Sequence, residues 1–247
     1  MERRITKSQA RRAGERLRKS LREYGLTKTL AEEANAEAWD VVRRFQREHV
    51  LPTSAVAVHV AGVAHDLDGG MSAPRIKRAE RIIEKIARGK TALDRLQDIG
   101  GCRIIVGDLV VQELATNLVL ATDWEIVDVD DYVAPEGTSQ LDPNGGSGPK
   151  GSGYRAIHVV QRVDDRLIET QIRTKEQHAW AAAAEKAEQL TGHPLKFGDA
   201  PPELIEYFRI ASSIIALQEW GQDVDNDLVE QLSDLREQIR RYYRRTE

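Results

Sequence analysis

Two apolar runs around Asp164-Asp165 constrain this chain more than any other feature. Residues 154–163 and 167–172 each read as a strand, and the Asp-Asp pair between them is a hairpin turn signal. A hairpin needs a sheet to join. Cys102-Arg103-Ile104-Ile105-Val106 is apolar throughout and reads as a central strand, while residues 124–129 alternate as a further strand. Helical periodicity surrounds these segments. Ala10, Ala13, Leu17, Leu21 and Tyr24 form one stripe over residues 8–24. Thr27 or Thr29 caps a second helix running to about Glu48, which Pro52 stops. Val56 to Val60 is either a strand or a buried turn of helix, and residues 66–72 form a loop with Gly69 and Gly70. Ile76, Ala79, Ile82, Ile83 and Ile86 predict a helix over residues 75–88, and Asp108 begins the next. Helices follow the hairpin over residues 175–189, 202–220 and 227–245. The order predicts an α+β fold with a mixed sheet of four to five strands flanked by helices. It divides into an N-terminal helical extension (1–50), a core (51–190) and C-terminal helices (191–247).

About twenty residues before the hairpin, with Pro135, Pro143 and Pro149, read as loop, and a loop of that length in a compact domain is usually functional or disordered. It ends in Lys150-Gly151-Ser152-Gly153-Tyr154, neither a Walker loop nor a dinucleotide fingerprint and by itself a weak signal. Tyr154 suits base stacking, yet a lone tyrosine at a strand start serves as well in a core or rim. His158 shares its strand face with Tyr154. Glu169, Gln171 and Arg173 likewise share one face, and a face carrying those three is hard to bury, which points to a site. Asp98 stands just before the apolar strand. Two carboxylates at a sheet edge, Asp98 and Glu169, suit Mg²⁺ shared with substrate phosphates, although position alone also fits two surface acids. Arg75, Lys77 and Arg78 open the helix over residues 75–88, and Arg78, Arg81 and Lys85 make a cationic ridge that suits phosphate or solvent equally.

Composition limits the classes. With 247 residues, 31% charged and a net charge of −4, the chain as a whole is no polycationic nucleic-acid binder. Charge is uneven, however. Residues 1–22 are rich in arginine and lysine with only Glu2 and Glu15 as acids, and the chain ends with Arg240, Arg241, Arg244 and Arg245. The single cysteine, Cys102, allows neither an internal disulfide nor a cysteine zinc site and suits a reducing cytoplasm. The basic N-terminus has no apolar stretch behind it, and no segment approaches a membrane span.

Gly153-Tyr154-Arg155-Ala156-Ile157-His158, followed by Glu169-Thr170-Gln171-Ile172-Arg173-Thr174, resembles the signature of the RelA/SpoT-type alarmone synthetase domain. Arg75-Ile76-Lys77 with Lys85, and the segment from Asp98 to Val106, match its earlier motifs in order. The resemblance covers about residues 50–190 and implies a nucleotidyltransferase-like synthetase fold. It implies transfer of the β,γ-pyrophosphate of ATP to a ribose 3′-hydroxyl of GDP or GTP, in the cytoplasm, with inhibition of growth. Under it, Arg75 and Arg103 sandwich adenine, and Lys77 and Lys85 grip the ATP phosphates. Asp98 and Glu169 hold Mg²⁺, with Glu169 also the base. Tyr154 stacks on the acceptor base, and Lys150, Ser152, His158, Gln171 and Arg173 line the acceptor region. Departures gather on the acceptor side: Asp130 stands where the family has a basic residue, and Ser152 replaces a common asparagine. The alternative acceptor is the 3′ end of tRNA, held by the basic terminal helices in a toxin of the same fold. A neutralising antitoxin protein and a homo-oligomer stay open as partners. Retention of Asp98, Glu169 and Tyr154 argues against a catalytically dead regulator.

Overall fold

A computed structural model describes residues 3–244 apart from 32, 68, 69, 90, 143–145, 194 and 196–199; Gly69, Pro143 and Arg245 lie outside the described residues. Five strands form one sheet: β1 (Met71–Ile76), β2 (Gly100–Val106), β3 (Glu125–Asp131), β4 (Ile157–Val163) and β5 (Arg166–Thr174). Their order is β1-β2-β5-β4-β3. Only β2 and β5 run parallel. The Asp164-Asp165 turn forms as expected, with both residues at positive φ (48° and 61°), a conformation that short polar side chains tolerate.

The pleat separates the sheet's two faces. Cys102, Ile104, Val159, Ile168 and Ile172 point to one face and are buried against α4 (Val50–Asp66) and α6 (Leu109–Leu120). The intervening residues take the opposite face. The strand register lines them up in two rows: Arg75, Gly101, Glu169, Val160 and Asp128, then Ala73, Arg103, Gln171, His158 and Asp130. The second row is almost wholly polar, as expected of a face that the core does not claim.

Two further apolar clusters flank the sheet. On one side α1 (Lys7–Tyr24), α3 (Ala36–Arg47) and α5 (Ala79–Arg88) bury Leu17, Val42, Phe45, Ile82, Ile83 and Ile86. On the other, α7 (Lys175–Thr191) and α8 (Pro202–Glu219) enclose Tyr154, Trp180, Ala184, Leu204 and Phe208. The last described helix, α9 (Asn226–Arg244), lies on α8. Among the described residues no helix is long and apolar enough to cross a membrane.

Three sequence expectations need correction. The helix expected from residue 75 starts at Ala79, and residues 71–76 are the edge strand β1. That strand is exposed almost throughout, so it carries no alternation to betray it, and Ile76 fits both patterns. The helix expected up to Glu48 is broken into α2 (Leu26–Ala31), a 3-10 turn (Glu33–Asn35) and α3. Pro52 stops nothing: it lies in the first turn of α4, where its missing N–H costs no helical bond, and Val56–Val60 is helix.

Candidate active site

The β1, β2 and β5 members of the polar rows line a cavity of about 460 Å³ bounded by Arg75, Lys77, Asp98, Gly101, Arg103, Glu169, Gln171, Arg173 and Glu185, while His158 and Asp130 lie outside its wall. Gly101 keeps its floor open, since a Cβ there would stand 2.6 Å from the carbonyl oxygen of Glu169. The structure therefore gathers the six residues assigned from sequence to ATP and metal, five of them on the cavity wall and Lys85 through Asp98. β5 is the middle strand, so Glu169 sits centrally in the sheet rather than at an edge.

Asp98 is held by two ammonium groups. Its Oδ2 accepts from Lys77 Nζ and from Lys85 Nζ, the latter at 2.6 Å. Burial pushes this carboxyl up, but the two lysines outweigh it and hold it below the ordinary carboxylate value. Lys77 is itself pushed down, first by burial and then by Lys85, although Asp98 opposes both. Lys77 reaches the site from the joint between β1 and α5, where its N–H extends the ladder to the Ile99 carbonyl at 2.8 Å. Lys85 comes from the second turn of α5.

Glu169 is ionised by a different set of partners. Its Oε2 accepts from Gln171 Nε2 at 2.7 Å, and Gln171 Oε1 accepts from Arg173 Nη2 at 2.8 Å. Arg173 Nη2 also donates to Tyr154 Oη at 2.7 Å, and that oxygen lies 2.7 Å from His158 Nε2. His158 Nδ1 meets Glu169 Oε1 at 3.2 Å. With the tyrosine accepting from Arg173 and donating to Nε2, neutral His158 carries its proton on Nδ1 and donates it to Glu169. The five side chains close a ring of hydrogen bonds. Burial pushes Glu169 up, yet His158, Gln171 and the charge of Lys85 bring it down to about 2.

The cations of the cavity are under-satisfied. Arg103 Nε and Arg173 Nε are buried without a hydrogen-bond partner. Arg103 is pushed down by burial and by its like-charged neighbours Arg173 and Arg75. Cations crowded into one pocket with donors unmet suit a polyanion.

On the acceptor side the geometry differs from expectation. Tyr154 is 4% exposed, its hydroxyl inside the ring and its edges against Trp180 and His158. The ring thus has the buried alternative, not an open stacking face. Lys150 Nζ stands 4.1 Å from the centroid of Tyr132 and 5.4 Å from that of Tyr154, over both aromatics. Ser152 is half-exposed in the turn and does not line the cavity.

Tyr132, Asp130 and Glu185 were not singled out as site residues from sequence. Tyr132 is half-buried against His158 and Tyr154. Asp130 pairs with His158 across β3 and β4 and is pushed up by burial despite its hydrogen bond from Tyr132. The alternation of β3 could have found Asp130. Glu185 had no signal in the alanine-rich run of α7.

The donor set fits a hard divalent cation. Asp98 Oδ1 is buried and has no hydrogen-bond partner, leaving a carboxylate oxygen for such an ion. Among the described residues no group of three or more His, Cys, Asp or Glu side chains stands ready as a metal cage, so substrate oxygens would complete the coordination.

Residues 74–189 match the family profile described as the region found in RelA / SpoT proteins. The chain's fold is that of the small alarmone synthetases. Small alarmone synthetase 1 from Bacillus subtilis is 22% identical, with a TM-score of 0.55, over 81% of this chain and 97% of that one. The same synthetase bound to its product pppGpp aligns at 21% identity and TM-score 0.55, over 80% and 97%. A GTP pyrophosphokinase family protein from Streptococcus pneumoniae is 25% identical, TM-score 0.54, over 77% and 96%. No curated protein sequence matches the chain significantly.

Proposed function

We propose that the chain is an ATP-dependent pyrophosphokinase that transfers the β,γ-pyrophosphate of ATP to the ribose 3′-hydroxyl of a guanosine nucleotide. The observation that carries this reading is the pair of carboxylates on one cationic cavity, each kept ionised by its own partners. Arg75 and Arg103 bracket the adenine. Lys77, Lys85 and Arg173 neutralise the phosphates. Glu169 accepts the proton of the 3′-hydroxyl as its oxygen attacks the β-phosphorus. The bond from that phosphorus to the α-phosphate oxygen breaks, and AMP leaves. Such chemistry rests on positioning and charge neutralisation rather than covalent catalysis. Mg²⁺, held by Asp98 and Glu169, would supply further charge neutralisation when bound.

A tRNA 3′ end is the second reading, motivated by Asp130 at the acceptor rim, where an acid repels 5′-phosphates. The arginines of α1 weigh against it. Arg11 pairs with Asp94, and Arg16, Arg18 and Arg22 donate to the carbonyls of Ala34, Thr91 and Ala87. Those groups serve the chain's own folding. Incubation with Mg²⁺, ATP labelled in its γ-phosphate and either GDP, GTP or deacylated tRNA separates the readings. Label in the guanosine nucleotide is expected. Label in tRNA alone replaces the first reading by the second, and no transfer to any acceptor overturns both.

A further inference from the structure

We propose that a second cavity, where the start of α1 meets the β4–β5 turn and the 3-10 turn Leu93–Arg95, binds a phosphate dianion, either free or carried on a compact phosphomonoester. The cavity has a volume of about 360 Å³ and shares no lining residue with the first. Its cations are Lys7, Arg11, Arg95, Arg162 and Arg166, against Asp94 and Asp165.

Three of the five are already engaged: Arg11 with Asp94 at 2.7 Å, Arg162 with Glu125 at 2.8 Å, and Arg166 with Glu48. Lys7 and Arg95 face no carboxylate within ion-pair distance among the described residues. Arg166 adds an unmet donor. Its side chain is 3% exposed, held over Phe45 at 4.7 Å, and its Nε has no hydrogen-bond partner. Burial at that level without a partner is costly unless a ligand supplies an acceptor. The first turn of an eighteen-residue helix also brings its positive end to this mouth. His49 closes the wall as a neutral ring: burial pushes it down to about 4, and its Nδ1 lies 2.8 Å from the Phe45 carbonyl. The site thus offers two unpaired cations, one unmet guanidinium N–H and a helix end, a donor set suited to a phosphate.

Its location gives the ligand a bearing on the first site. Gln97 lines this cavity and immediately precedes Asp98; Leu167 lines it two residues before Glu169. Occupancy stands independently of whether pyrophosphate is transferred.

Calorimetric titration of the full chain tests the proposal. An R75Q/R103Q background removes two of the cations of the first cavity, the K7Q and R95Q arm reports the second cavity alone, and inorganic phosphate and CMP are the two probes. Saturable binding in that background is expected, weakened at least tenfold when K7Q and R95Q are added. Both added changes lie at exposed positions without partners, and an unaltered far-UV spectrum confirms the fold. Binding of CMP at least tenfold tighter than phosphate assigns a phosphomonoester, and equal binding assigns free phosphate. Absence of binding in the R75Q/R103Q background, or undiminished binding after K7Q and R95Q, overturns the site.

Discussion

Glu169 is buried among hydrogen-bond donors that keep it ionised in the resting site. Its carboxyl sits at about 2 when folded against an ordinary 4.5, and Asp98 is lowered as well. Both depressions stabilise the folded state above the ordinary carboxylate range, and that stability is lost as pH falls through the folded value. Thermal melting should therefore be flat at neutral pH and decline steadily below about pH 4.5, with a shallower decline in E169Q. The same variant should lower kcat by about 10²–10⁴-fold, the usual range for loss of a general base, while ATP binding stays near wild type. Retained turnover in E169Q would exclude Glu169 as the base. Tyr154→Phe removes the hydroxyl between Arg173 and His158, leaving His158 Nε2 without its partner and Arg173 with only Gln171. A loss of about 1–3 kcal/mol in denaturant unfolding is expected. At this scale the sequence was informative where alternation spoke, as at Glu169, Gln171 and Arg173. It was silent about the direction of Tyr154, because the same strand position serves a stacking ring or a buried one until α7 and α8 are placed.

Among the elements, β1 shows what local pattern misses. Its identity comes from pairing with β2, and an edge strand exposed on both faces has no periodicity of its own. Arg75 thereby belongs to the sheet, Lys77 to a joint and Lys85 to a helix, although one helix seemed to carry all three. The glycines mark where elements touch. Gly101→Ala drives a methyl group against the Glu169 carbonyl, so activity should fall more steeply than stability as the central strand pair is forced apart. Gly153 has φ of 89°, and a Cβ there would stand 2.9 Å from the Phe208 carbonyl and 2.8 Å from Ser212 Cβ on α8. Gly153→Ala should cost about 1–3 kcal/mol and loosen the loop carrying Lys150. Unchanged melting of Gly153→Ala would show that α8 does not rest on this loop.

The whole molecule surrounds its site with three apolar clusters, and one ion pair ties the last of them to the sheet. Glu219, at the end of α8, accepts from Arg155, from the Thr174 hydroxyl that caps α7 and from Gln177. Both Arg155 and Glu219 are nearly inaccessible, so Glu219→Gln leaves a buried guanidinium without its counter-charge and should cost about 3–5 kcal/mol, measured by urea unfolding. Nothing in the sequence paired these two residues, because the contact exists only after α8 folds back over the hairpin. The fold class, the strand order of β4 and β5 and the polar face were legible from pattern. The long-range closures were not.

The parallel pairing of β2 with β5 also has a consequence in time. Asp98 and Glu169 enter from segments separated by α6, β3, β4 and the long loop, so no local contact brings them together. Pairings of that kind form late, after the intervening chain has paid its closure entropy. A growing chain therefore has its basic α5 helix long before it has a counterpart strand, and nucleotide binding should switch on abruptly once residues through Thr174 have been made and docked.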